Sequence, residues 1–407
     1  MRKNIIILSH NNHSFLNNEI KYASQIFEKV IVVCPYNQEF RNINMELPNV
    51  ELLLYKKKEL YMSMLTSLLK LFNKENIQEF IDGLRENVIS KSYIKVYLHF
   101  IGLSKLFSMK IDRCIGIEES KDWIFYSAWY YSTAYAVTEA KKRFKYAKVV
   151  SLAHSFEVDK IKNKFTHVLY RKKYHNELEK ISFISENVFK KFENDISKKL
   201  NLRLDNIDIN MLGTTKLKGK YSDFSKDNII RIVSCSHIVP IKRLDLILNA
   251  LDYTNLKIEW THIGDGKERK TLEQEIINNK NKNLKINLLG ALENKKIHEF
   301  YVKNKVDIFI NLSESEGIPV SIMEAIAYGI PVIATDVGGN SEIVKNDFGR
   351  LVSKNPTNEE IKKSILDLVN IEYKDKIEMR RLATEFFENN FDSDKLRPLF
   401  FANIAKD

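Results

Sequence analysis

The densest group of chemically capable residues in this 407-residue chain is the run Asn311-Leu-Ser-Glu-Ser-Glu-Gly-Ile-Pro-Val-Ser-Ile-Met-Glu324, continued to Gly338-Gly339. Its approach, Val306 to Ile310, reads as a buried strand, and the Gly-Ile-Pro segment as a turn. A helix is expected to open near Val320 or Ser321. Backbone N–H groups left unbonded at such a start make a site for an anion, either phosphate or a sugar oxygen. Gly317, Ile318, Pro319 and Val320 would present that backbone, and Gly317 has no Cβ to hold a ligand off. Glu316 and Glu324, with seven residues between them, can accept hydrogen bonds from vicinal hydroxyls at two points along an extended ligand. Glu324 has a structural alternative, since Ser321-Ile-Met-Glu324 has capping-box spacing. Glu316 has one as a solvated loop acid.

Other candidates follow strand-like runs. Ser234-Cys-Ser-His-Ile-Val-Pro-Ile-Lys-Arg-Leu-Asp245 carries His237, Lys242 and Arg243. Val149-Val-Ser-Leu-Ala-His-Ser-Phe-Glu-Val-Asp159 places His154 just past another strand end. In a doubly wound domain that is where ligands bind. The ordinary alternatives are a solvated loop lysine and a satisfied core or loop histidine.

The elements that must position these residues alternate between strand and helix. In the first half, Asn4 to Leu8, Val30 to Cys34, Ile111 to Ile117, Lys148 to Leu152 and Ile181 to Ser185 read as strands. A helix is expected from about Asn17 to Phe27, and Trp123 to Thr138 reads as a buried helix. Leu60 to Phe72 and Tyr93 to Phe107 are amphipathic and lysine-flanked, suited either to a membrane surface or to packing as core helices. In the second half, Ile229 to Cys235, Leu256 to Ile263, Leu284 to Leu289, Val306 to Asn311 and Pro331 to Thr335 read as strands, with helices at Leu244 to Leu251 and Lys267 to Ile277. Such alternation implies parallel sheets covered on both faces. The polar stretch Lys218 to Asn228 marks a boundary. The expected layout is a first Rossmann-like domain over 1–221, a second over 222–385, and a C-terminal helix, 386–407, packing back toward the first. A cleft between two such domains is the natural ligand site.

Composition sets limits. Hydrophobic residues at 44% and charged residues at 29% describe a folded α/β protein and exclude low-complexity disorder. Cys34, Cys114 and Cys235 lie in apolar runs without metal or redox spacing, as expected in a reducing, cytoplasmic compartment. No signal peptide is read at the start, and no apolar run reaches the roughly 20 residues of a membrane span. Residues 1–220 hold 37 Lys+Arg against 24 Asp+Glu, a balance of +13, while 221–407 hold 27 against 29, a balance of −2. A first half that basic points to an anionic partner surface. No recognised motif supports nucleic acid, and Ser9-His-Asn-Asn12 after the first strand lacks the Gly-x-Gly-x-x-Gly of a dinucleotide-binding oxidoreductase.

The Glu-x7-Glu segment with Ala325, Gly329, Pro331, Thr335 and Gly338-Gly339-x-x-Glu342 resembles the signature of retaining glycosyltransferases of family 4, which have the GT-B fold. His262-Ile-Gly-Asp-Gly-Lys267 and Leu289-Gly-Ala-Leu-Glu293 resemble its nucleotide-side turns, and the Ser234 to Asp245 segment its basic loop. His13 to Val30 is similar to the opening of a branch that assembles bacterial cell-surface polysaccharides. Phe183 to Asn187 and Leu212-Gly-Thr214 match further landmarks. The resemblance implies two Rossmann-like domains facing each other across a cleft, and transfer of a sugar, with retention, from a nucleotide diphosphate to a saccharide or lipid-linked acceptor. A UDP-sugar donor is favoured. By the same resemblance, Glu324 would bind the ribose hydroxyls and Glu316 the transferred sugar near its reacting carbon. Gly317 to Val320 would hold sugar and diphosphate, and Lys242 would neutralise the leaving group. His154 would contact the sugar.

Two departures stand out. His237 occupies the place of a usual arginine, for which Arg243 is a candidate substitute. Asn11 to Leu16 has no glycine, so Asn12 or Ser14 would have to meet the diphosphate by side chain. No Asp-x-Asp pair is present, so no metal and no cofactor beyond the nucleotide-sugar co-substrate is expected. A non-catalytic, nucleotide-sugar-binding partner subunit is the alternative.

Overall fold

A computed structural model describes residues 1–10, 14–36, 47–67, 74–85, 91–158 and 169–406. The chain divides into two compact units, Met1–Asn210 with Arg397–Asp407, and Met211–Leu396. The first is built on seven parallel strands: β1 (Asn4–Leu8), β2 (Lys29–Pro35), β3 (Val50–Tyr55), β4 (Trp123–Ser127), β5 (Lys148–Ala153), β6 (Lys180–Phe183) and β7 (Ile207–Ile209). Their order is β3-β2-β1-β4-β5-β6-β7. Ile5 of β1 sits between Val30 of β2 and Ile124 of β4 in register. Helices cover such a sheet on both faces, so its central strands read as unbroken apolar runs without alternation.

That lack of alternation explains one difference from the sequence reading. Ile111 to Ile117 is not a strand; the helix Lys91–Ile111 ends there and a short turn follows. The strand is Trp123-Ile-Phe-Tyr-Ser127, the front of the run expected to be a buried helix, and the helix itself is Ser132–Lys141. A short run buried on every side has no period by which to tell strand from helix. β3, which the sequence reading did not anticipate, is an edge strand of mixed burial.

The helix Lys91–Ile111 is a core element that buries Tyr97, Phe100, Leu103 and Phe107. Helix Lys57–Thr66 lies on it at Gly102, where a Cβ would stand 2.4 Å from Met64 Cγ. The remainder of the amphipathic stretch, 68–72, is outside the described residues. Among the described residues no helix is long and apolar enough to cross a membrane.

The second unit has six parallel strands: β8 (Ile230–Cys235), β9 (Ile258–Ile263), β10 (Leu284–Leu288), β11 (Ile308–Asn311), β12 (Val332–Thr335) and β13 (Gly349–Val352). Their order, β10-β9-β8-β11-β12-β13, repeats the doubly wound 3-2-1-4-5-6 arrangement of the first unit. Strand order reverses between β8 and β11, so a crevice is expected beyond their carboxyl ends. The two Rossmann-like α/β units expected from the sequence are present. The polar stretch Lys218 to Asn228 belongs to the second unit, with Phe224 buried and Asp223 bridged to Lys305.

The last helix, Ser393–Lys406, completes the first unit through its final residues. Arg397 is 1% exposed and donates through Nη2 to Glu19 Oε2 at 2.5 Å and through Nη1 to Asn210 Oδ1 at 2.7 Å. Tyr126 Oη donates to the same Glu19 oxygen at 2.7 Å. Phe400 and Phe401 pack edge-on against the Tyr126 ring, and Lys148 Nζ donates to the carbonyl of Ile404. Removing one partner of a buried ion pair strands the other. Arg397→Ala is therefore expected to cost about 3–5 kcal/mol, read as a lower urea midpoint for the first unit. An unchanged midpoint would show that the Glu19 charge is met in another way.

Candidate functional site

After β8 the chain turns through Pro240–Lys242, passes Arg243 and enters the helix Leu244–Tyr253. After β11 it runs from Leu312 to Pro319 and enters the helix Val320–Ala327. These loops are sewn together at the switch point. Glu314 N donates to Ile241 O at 2.8 Å. The Arg243 guanidinium bonds the carbonyls of Leu312 (2.6 Å), Ser313 (3.0 Å) and Lys354 (2.8 Å) and the side chain of Asn355 (3.1 Å). Arg243 is thus a tie between loops, with four acceptors around its guanidinium.

The tie sets Lys242 against Glu316. Lys242 Nζ donates to Glu316 Oε1 at 2.6 Å, and Asn311 Nδ2 reaches the same oxygen at 3.2 Å. Glu316 is 8% exposed, so this is a nearly buried acid holding a half-buried cation at the strand ends. His237 is exposed on the same loop.

Glycines back both loops. Gly338 has φ +56°, and a Cβ there would lie 1.9 Å from the carbonyl oxygen of Glu316. A Cβ on Gly339 would lie 2.4 Å from that of Gly317, to which Gly339 N donates. Gly264, at φ +146°, presses on Ser236 in the same way, and Gly266 on Ile238. Backbone lies on backbone at each contact, which only a residue without Cβ permits.

Glu324 is not a capping residue. The helix Val320–Ala327 is preceded by Pro319 with no side-chain cap, and Ser321 lies inside it. The Glu324 carboxylate is 4% exposed and accepts from Asn294 Nδ2 at 2.6 Å. Asn294 Oδ1 in turn accepts from His298 Nε2 at 2.9 Å, which places the His298 proton on that nitrogen. Burial lowers the His298 pKa, in keeping with a neutral ring. Burial pushes Glu324 up to about 7, opposed by the Asn294 bond. Burial also pushes the nearby Cys235 thiol up to about 12, with the Glu324 charge adding to the effect, so Cys235 is no nucleophile at neutral pH.

His154 stands at the end of β5 in the first unit. Nε2 meets the Ala128 carbonyl at 3.1 Å, and the ring stacks on Trp129 at 4.4 Å. Its backbone N–H donates to Glu157, whose buried carboxyl is pushed up to about 8 by desolvation. Asn12 and the Ser14 side chain are outside the described residues.

The second unit therefore joins Lys242 to Glu316 and seats Glu324 on Asn294. The sequence reading missed Asn294, Asn311 and His298. The available signal for Asn294 was its place one residue after the Leu289 to Glu293 turn. Its partnership with Glu324, 30 residues on, is a tertiary fact. Among the described residues, no group of three or more His, Cys, Asp or Glu is placed to hold a metal ion.

Two outcomes follow. A buried carboxyl with a raised pKa is neutral in both states below its ordinary value; as pH rises from there to about 7 the unfolded chain ionises first, and the burden on the fold grows until it levels off above about 7. Glu324→Gln is thus expected to gain stability relative to the parent between pH 5 and pH 8, by about 3 kcal/mol in paired urea titrations. A pH-independent difference would contradict the desolvated carboxyl. Gly338→Ala, at positive φ and against a carbonyl, is expected to cost more than about 2 kcal/mol, whereas Gly219→Ala, with open space around it, costs less. Equal midpoints for the two variants would refute the backbone contact.

Comparison with known proteins places this geometry. Residues 216–385 match the family model "Glycosyl transferases group 1". An uncharacterized glycosyltransferase of Methanocaldococcus jannaschii is 33% identical over 134 residues, 33% of this chain and 36% of its own. The UDP-N-acetylglucosamine–peptide N-acetylglucosaminyltransferase GtfA subunit of Streptococcus agalactiae is 30% identical over 121 residues, 29% of this chain and 23% of its own. The O-antigen biosynthesis glycosyltransferase WclY of Escherichia coli is 24% identical over 212 residues, 49% of this chain and 54% of its own. The chain thus spans between about a quarter and about half of the length of these relatives. Anabaena HepE, solved in complex with UDP, superposes with a TM-score of 0.70 at 14% identity, over 100% of both chains. At that identity the likeness shows the fold, which is GT-B. Residues 216–385 thus match the glycosyl transferases group 1 model, within a chain that has the two Rossmann-like units of the GT-B fold.

Proposed function

We propose that the chain is a retaining hexosyltransferase that moves a sugar from a nucleotide diphosphate, with UDP-sugars favoured, to a saccharide or lipid-linked saccharide in cell-surface polysaccharide synthesis. The observation that carries this reading is the Lys242–Glu316 pair, set at the switch point of a group 1 domain beside an uncapped helix start. The ammonium that meets Glu316 is the one suited to the leaving diphosphate, whose charge grows in the transition state. The uncapped N–H groups at Val320 and Ser321 add positive potential where the phosphates would lie. Glu316 would then face the transferred sugar, and Glu324, seated by Asn294, the ribose hydroxyls. His154, with its ring fixed by Ala128 and Trp129, is assigned to the sugar. Leaving-group charge is met here by lysine and backbone, and the reaction needs no metal. The UDP in the HepE structures and the donor in the GtfA subunit's name support a uridine nucleotide. The basic first half supports a cytoplasmic position at the inner face of a membrane.

A thermal-shift panel of UDP, GDP, ADP and their sugars tests the reading. At 100 times its Kd, one nucleotide is expected to raise the midpoint by roughly 5–10 °C. Lys242→Ala should reduce that shift. Glu316→Gln should keep it while lowering donor turnover by on the order of a hundredfold or more. No shift with any nucleotide would sink the proposal. A shift without turnover on any acceptor would favour a nucleotide-sugar-binding partner subunit.

A further inference from the structure

The helix Lys57–Thr66 packs through Ser63 and Met64 and leaves its other large apolar side chains outside that contact. Ser63 and Ser67 beside it are buried, at 5% and 0% exposure, while Tyr61, Met62 and Leu65 stand 53%, 53% and 61% exposed. These three, with Lys58, fall at i, i+1, i+4 and i−3, so they share one helix face. Met109 of the neighbouring helix Lys91–Ile111 is 47% exposed and faces the same groove as Met62. Met62 and Met109 line an apolar groove of about 390 Å³, rimmed by Lys56, Lys58, Lys110 and Arg113. Glu59, the acid lining this groove, is already engaged by Lys110 at 2.7 Å.

The lysines are out of place on structural grounds. Lys56, Lys57 and Lys58 open the helix, where its dipole favours acids and disfavours cations. All three are exposed, so folding gains no burial from them. An apolar face with a cationic margin has a natural counterpart in a lipid leaflet, which offers acyl chains below and phosphates at the rim.

We infer that this face is the chain's contact with an anionic membrane leaflet. Tyr61, Met62, Leu65 and Met109 enter the acyl boundary, and Lys57, Lys58 and Arg113 meet lipid phosphates at headgroup level. The inference rests on the membrane-peripheral part of the function proposed above and needs none of its donor chemistry. The first 220 residues, at a balance of +13, supply the long-range attraction.

Co-sedimentation of the full chain with phosphatidylcholine vesicles, with and without about 30% phosphatidylglycerol, at 50 and 500 mM salt, gives the test; these settings are on the order of those that separate electrostatic from apolar binding. The parent should partition to the anionic vesicles at least about tenfold more strongly than to neutral ones, and lose that preference at high salt. Lys57→Gln/Lys58→Gln and Tyr61→Ser/Met62→Ser/Leu65→Ser should each lower binding by on the order of tenfold or more. Both variants should keep the parent's nucleotide-induced thermal shift, which shows that they fold. Equal binding to both vesicle types, or parent-like binding by the triple variant, overturns the inference. So does a dimer in light scattering that the triple variant dissociates, since the face would then belong to a second copy. If no nucleotide shifts the parent but anionic vesicles bind it through this face, the donor reading fails and this one stands.

Discussion

Arg243 is the constraint on which the second unit's site depends. It is a non-glycine residue at φ 48°, a left-handed backbone that an L side chain adopts at a cost of about 1–3 kcal/mol. The offset is visible: four acceptors from two other loops surround its guanidinium. The backbone reversal at Arg243 aims the preceding residue one way and the following helix another. Lys242 reaches Glu316 because its neighbour is fastened to the loop that carries Glu316. An arginine beside a lysine reads in sequence as two interchangeable cations. In the fold one is a tie and the other is the charge made available.

The same division of labour holds around Glu324. Its carboxylate is nearly buried, so its ionised form is costly, and a single amide from Asn294 is what opposes that cost. His298 fixes the amide by taking its oxygen. Orientation therefore passes from a neutral imidazole through an amide to an acid along one line of hydrogen bonds. No member of that line other than Glu324 belongs to a recognisable motif.

Much of the architecture was legible in the sequence because parallel sheets write long apolar runs bounded by polar loops. β1, β2, β5 and β6, and all strands of the second unit except β13, stand close to where those runs place them. The reading failed at Trp123, where a buried aromatic run has no period, and at β3, whose edge position mixes residue types. At the site, the glycines and glutamates were legible as types at fixed spacing. Asn294 and the Arg243 clamp were not, because each acts through a partner distant in the chain, and Asn311 was not, because its bond to Glu316 five residues on depends on how the loop folds back. Ser321 to Glu324 shows the converse: the spacing of a capping box was present, yet the helix starts two residues too early for Ser321 to cap it.

The last turns of the chain have a consequence for how the molecule is made. Phe400, Phe401, Ile404 and Ala405 are buried in the first unit, and Arg397 satisfies a charge at its centre. Between Asn210 and these residues lie the 186 residues of the second unit, Met211–Leu396. At typical synthesis rates the ribosome needs about 10–40 s to traverse them. For that interval the first unit exists with an open seam and an unmatched Glu19. The second unit, contiguous in sequence, has all of its own residues first. The half that is made first is thus the half that is finished last, and its open seam is the surface a chaperone would have to guard.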